Sequence, residues 1–202
     1  MLIYLDAMIV QYVADYQDFI FQDIVSKHEV INPAPEPKLA LELEALRRLV
    51  YLEQFGYWDF AAPIHLTNEL LSGKPTDLQR EAYRVLFQAW EDSTWIEDVV
   101  VPEEEISSIE HLLFSMKFKD RADRRHLAEA IALQASWFLT NDTNVIKRTR
   151  QKQEKIKSLT NEIVLNNPQL TSDQMLKRLL ALTKVARPSE CVKEIEKSLS
   201  LG

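Results

Sequence analysis

Apolar positions follow two different periods along this chain, and each change of period marks an element. Residues 2–5, "LIYL", form a continuous apolar run that stops at Asp6, the mark of a short buried strand. From Ala7 the spacing turns helical, with Ile9, Val10, Val13, Phe19, Ile20 and Ile24 on one stripe, so a helix is expected over 7–27. "NPAPEP" (32–37) is a proline-punctuated loop. Residues 38–56 predict an amphipathic helix with Gly56 as its C′ residue. "DFAAPIHL" (59–66) predicts strand or extended chain, and Thr67 a cap for a short helix. Pro75 and Thr76 open a helix over 75–93. A strand at 94–102 is stopped by Pro102, helices follow over 103–118 and 123–136, and 137–140, "WFLT", is the last expected strand. From Asn144 onward the pattern is helical, in three pieces divided near 166–168 and at Pro188.

Short strands separated by helices imply βαβ units and a mainly parallel sheet. An α/β domain is therefore expected over 1–150. Residues 151–202 show no strand signal and are expected to be a C-terminal helical extension.

In a parallel sheet, ligands bind outside the carboxyl ends of the strands. Asp6, Glu69 and Asp142 all fall at or just after expected strand ends, so they should converge on one edge. Asp123 opens the helix leading into the last strand, and Asp120 lies three residues earlier. Two unit charges 4 Å apart near a protein surface repel by roughly 4 kcal/mol. A divalent cation among such acids removes that cost, and an all-oxygen carboxylate set suits Mg²⁺ or Mn²⁺. Such ions position a phosphodiester and activate water. Each acid also has a plainer reading. Asp6, Asp123 and Asp142 can be helix N-caps, and Glu69, Glu42 and Glu44 solvated helix residues.

Composition narrows the field. Three glycines in 202 residues leave no cluster for a phosphate-cradling or dinucleotide loop. A formal net charge of -7 argues against a general coat for DNA or membrane, while leaving room for a local basic groove. The single Cys191 excludes an intramolecular disulfide and a Cys-cluster zinc site, and favours a reducing, cytoplasmic setting. No apolar run reaches membrane-spanning length, and the N-terminus lacks a signal peptide's basic region.

Three stretches together resemble PIN-domain nucleases: "MLIYLDAMIVQYV", "HLTNELL" and "DRRHLAEAIALQASWFLTND". In the last, Asp123 precedes His126-Leu127-Ala128-Glu129-Ala130 by three residues, and the following strand ends in Thr140-Asn141-Asp142. The resemblance runs from residue 1 to about 148. It implies a doubly wound three-layer α/β/α sandwich and a metal-dependent endonuclease acting on single-stranded RNA. By that resemblance Asp6, Asp123 and Asp142 ligate metal, and Glu69 ligates metal or holds a water. Thr140 and Asn141 would bond a ligand carboxylate or the scissile phosphate, or serve as turn and cap residues. Many such proteins are toxins held by an antitoxin, often as dimers, so a cognate antitoxin and a homodimer are expected partners. Arg124 and Arg125 flank the acids and would meet RNA phosphates, or form a solvated face. Basic residues from Lys147 to Lys157 offer a second run with the same two readings. His126 is expected to be packed in its helix rather than catalytic. The alternative function is a PIN-like module that binds RNA or protein without cutting. A phosphotransfer role for Asp6 is disfavoured, because Met8 stands where a second acid would be needed.

Overall fold

The computed structural model describes residues 1–21, 35–61, 70, 75–77, 79–84, 101–164 and 183–199. Residues 94–100 of the strand expected at 94–102, the end of the one at 62–66, Glu69, Trp90 and Trp95 lie outside them.

The protein is α/β, and its described residues form a four-stranded parallel sheet: β1 (Leu2–Leu5), β2 (Asp59–Ala61), β3 (Trp137–Leu139) and β4 (Lys184–Ala186). The order across the sheet is β2-β1-β3-β4. Strand β1 pairs with β2 on one side, with Ile3 opposite Phe60, and with β3 on the other, with Leu5 opposite Leu139. The chain moves from β1 outward to β2 and then returns to the opposite side of β1. The winding therefore reverses between β1 and β3, and a crevice opens there at the carboxyl edge.

Side chains alternate across each strand, and the core divides accordingly. Ile3, Leu5, Trp137, Leu139 and Ala186 pack on one face with helices α1 (Ala7–Asp15), α2 (Gln17–Ile20), α3 (Pro37–Glu53) and α7 (Pro188–Leu199). Tyr4, Ala61, Phe138 and Val185 pack on the other with α4 (Glu103–Ser115), α5 (Arg121–Ala132) and the start of α6 (Thr143–Val164). Helices on both faces are compatible with three layers. Trp58 and Trp137 are core, as their apolar surroundings predict.

Several boundaries differ from the sequence pattern for local reasons. The stripe over 7–20 is broken at Tyr16, whose φ of -122° and ψ of 27° end α1 and start α2. Helix α3 stops at Glu53, and Gly56 serves the following turn at a φ of 73° rather than standing at C′. Thr76 does start its helix. Its hydroxyl accepts from Gln79 N, and its own N–H donates to Gln79 Oε1, a reciprocal capping box.

The expectation of an all-helical segment after 150 is corrected. Residues 184–186 are a strand, and Val185 and Ala186 are buried. Three residues are too few to show a period of two, so the strand exists only because β3 offers an edge. Pro188 then takes the first position of α7, where its missing N–H costs nothing. Helix α7 lies against α3. Glu42, expected to be a surface charge, is instead buried there and accepts from Ser189 N at 2.9 Å and Ser189 Oγ at 2.8 Å. It thereby satisfies a donor at the α7 N-terminus. Glu44 is exposed, as expected.

Candidate active site at the carboxyl edge

Asp6 follows β1 directly and caps α1, its Oδ1 accepting from Ala7 N. Asp142 lies three residues past β3 and caps α6, its Oδ1 accepting from Asn144 N and Val145 N. Both acids thus stand at the ends of adjacent strands, where the winding reverses. They share one intermediary. Thr140, wholly buried, donates to Asp6 Oδ2 at 2.7 Å and accepts from Asp142 N at 3.1 Å. On the other side, His126 Nδ1 lies 2.9 Å from Asp6 Oδ1. A carboxylate only accepts, so Nδ1 carries the hydrogen.

Helix α5 brings in Asp123. Asp120, not Asp123, caps that helix, its Oδ1 accepting from Asp123 N. The capping reading of Asp123 is therefore excluded. Its carboxylate is half-buried and makes no hydrogen bond within the described residues. Burial, followed by the negative charges of Asp120, Asp142 and Asp6, pushes it up to about 6; His126 offsets this in part.

A cavity of about 430 Å³ opens over this corner. Asp6, Asp123 and His126 form one wall, and Gln11, Gln79 and Tyr83 another. Its size suits a small ligand or one unit of a polymer. The donor set is hard oxygen and negative, the chemistry a divalent cation prefers. Asp6, Asp123 and Asp142 are the residues that would hold one, with Asp6 oriented by His126 and Thr140. Among the described residues, however, no group of three or more His, Cys, Asp or Glu side chains is arranged to hold a metal ion.

Other expected site residues are placed differently. Arg125 does not face the crevice as a phosphate ligand. It grips both oxygens of Glu103 at 2.6 Å and bonds Glu129 Oε1 at 2.8 Å. Glu129, buried, takes the Tyr4 hydroxyl at 2.6 Å on its other oxygen. Arg124 donates to the carbonyls of Phe118, Lys119 and Asp120 and lies over the Phe114 ring. Both guanidiniums are turned into the α4–α5 junction, with the Arg124 Nε buried there, so their assignment to RNA contact is withdrawn. Thr140 is likewise too buried to touch a substrate and acts on the Asp6 carboxylate instead. Arg150 is bonded to Glu190 and the Val185 carbonyl, while Lys147 and Arg148 are exposed. The bond from His126 to Asp6 had no sequence signal, since 120 residues separate the two. No described helix is long and apolar enough to cross a membrane.

The chain matches no family model, no curated protein and no solved structure.

Proposed function

We propose that this protein is a PIN-like, three-layer α/β/α endoribonuclease that hydrolyses phosphodiester bonds of single-stranded RNA with Mg²⁺ or Mn²⁺. The observation that carries this reading is Asp123. Capping gives Asp6, Asp120 and Asp142 an ordinary reason to be where they are, about 1 kcal/mol each. Among the described residues Asp123 gains no cap and no hydrogen bond, and its acidic neighbours Asp120, Asp142 and Asp6 oppose its charge. Unrelieved, that arrangement only destabilises the fold, and a bound cation reverses its sign.

Asp6, Asp123 and Asp142 then hold the metal, with Glu69 from outside the described residues as the expected fourth acid. The ion would supply an activated water and offset charge on the leaving oxygen. His126 and Thr140 hold the Asp6 carboxylate in one orientation through 2.9 Å and 2.7 Å bonds. The cavity beside Asp123 receives the strand. A toxin role with a cognate antitoxin, a homodimer and a cytoplasmic setting belong to the same proposal. They rest on the motif resemblance and the lone cysteine.

A second reading is a module that binds RNA or protein without cutting. It is favoured by the hydrogen bonds that occupy Asp6 and Asp142 as helix caps. Incubating the purified protein with single-stranded RNA and Mn²⁺ or Mg²⁺, with EDTA, Asp123→Asn and Asp142→Asn beside it, separates the two. Cleavage lost in EDTA and in both variants supports the enzyme. RNA left intact by wild type in both metals supports the binding module.

A further inference from the structure

Half of the described arginines are committed to carboxylates at short range. Arg48, Arg80, Arg84, Arg125 and Arg150 each reach one within 3.1 Å. Arg187 does not. Its guanidinium donates to Thr143 Oγ1 at 2.9 Å and forms no ion pair among the described residues. The nearby Glu190 takes the Arg187 backbone N–H and the Arg150 guanidinium instead. A guanidinium offers five donors in a planar fork that matches phosphate, and a single hydroxyl leaves most of them available.

Arg187 follows β4 as Asn141 follows β3, so both stand on the same carboxyl edge as the candidate acids. Together they line a second cavity, of about 440 Å³, closed by Tyr12 from α1 and by Lys38 and Leu39 from α3. Asn141 immediately precedes Asp142, one of the candidate metal-holding acids. The Asn141 Oδ1 is buried with no hydrogen-bond partner, and rotation of the amide would present it to a ligand donor. Two acids also line the cavity, Glu36 and Glu42. Glu42 is engaged by Ser189, whereas Glu36 is exposed and its carboxylate bonds to no described residue. A free carboxylate beside a cationic fork suits a ligand with both hydroxyl donors and an anionic group.

We propose that this cavity binds one nucleotide of the single-stranded RNA, next to the bond that is cut. Its phosphate meets Arg187, its base lies against Tyr12 and Leu39, and its ribose hydroxyls face Glu36. The assignment rests on the ribonuclease reading and extends it to substrate positioning. The 2′-hydroxyl is the group by which a protein tells RNA from DNA, so the Glu36 side favours RNA.

Anisotropy of a labelled single-stranded RNA with the full-length protein in EDTA tests this without cleavage. Arg187→Gln is expected to weaken binding by about tenfold, the effect of one lost phosphate contact. It should also lower the salt slope by about 0.7. Arg187→Lys should retain part of the affinity, and Lys38→Gln, at an exposed position, should lose about threefold. An unchanged affinity in folded Arg187→Gln overturns the proposal, as does wild-type protein that binds no RNA. So does a copurifying polypeptide, rather than RNA, that Arg187→Gln releases. The ribonuclease reading is scored apart, in Mn²⁺. Cleavage by Arg187→Gln with unaltered KM removes the nucleotide site and leaves the nuclease. RNA held through Arg187 but never cut removes the nuclease and leaves the site.

Discussion

Thr140 Oγ1 donates to Asp6 Oδ2 at 2.7 Å and in the same place receives the N–H of Asp142. One buried hydroxyl thus ties together two acids that arrive from distant parts of the chain. Thr140→Val keeps the shape and removes both bonds. A hydrogen bond to a charged group contributes about 1.5–3 kcal/mol, so the variant should melt several degrees lower. It should also cleave RNA more slowly, because Asp6 is free to rotate. Thermal unfolding at neutral pH reads the first effect; an unshifted midpoint would refute it.

Asp123 makes stability depend on pH. Its folded pKa is about 6, above that of an unfolded aspartate near 3.9. A raised carboxyl pKa means that the folded state binds the extra proton. The associated stability is complete below the unfolded pKa and is lost as pH rises through about 6. Metal-free protein should therefore lose stability between pH 4 and pH 7 from this group, and Asp123→Asn should flatten that slope. Mn²⁺ should restore stability to wild type above pH 6 and do less for the variant. A stability profile identical in the two proteins would contradict the placement of Asp123.

Arg125 holds the α4–α5 junction through Glu103 and Glu129. Glu129 is 2% exposed, so removing its cation leaves a buried charge with Tyr4 as its one neutral partner among the described residues. Arg125→Leu should cost about 3–5 kcal/mol, measurable as a lowered urea midpoint. Arg125→Leu combined with Glu129→Leu should recover part of it, since no lone charge remains. A single variant of wild-type stability would return Arg125 to the pool of free surface cations.

The C-terminal strand and helix belong to the sheet's core. Val185, Ala186, Cys191, Val192 and Ile195 are all buried. A chain ending at residue 182 would lack those side chains, leave the β3 edge unpaired and uncover the face of α3 they pack against, and should lose its cooperative thermal transition. A monodisperse, cooperatively melting truncation would show that β4 and α7 are dispensable.

Cys191 is wholly buried, and burial pushes its thiol up to about 12. The thiolate is the reactive form. A thiol reagent such as DTNB should therefore leave the native protein unlabelled and modify one thiol per chain in denaturant. Rapid labelling of native protein would place α7 elsewhere.

The local pattern of the chain decided a great deal. The runs at 2–5 and 137–139 are strands because several consecutive apolar residues need burial on both faces. The helices over 37–53, 103–115 and 121–132 follow from spacing and from their start signals, and the acids at the strand ends follow from the strands. What the chain alone left undecided were matters of partnership. Asp120 and Asp123 lie three residues apart at the start of α5, and only the path of the backbone shows that Asp120 is the cap and that Asp123 stands in the first turn as the unmatched charge. Arg124, Arg125 and Arg187 are alike as letters. The first two are consumed by carbonyls and carboxylates, and the third is left available for an anion. His126 meets Asp6, and Lys184–Ala186 becomes a strand, only because parallel pairing brings β1, β3 and β4 side by side. Periodicity reports how a residue relates to its neighbours within a turn or a pleat. It carries no record of which distant group completes a hydrogen bond, and that choice made the candidate site.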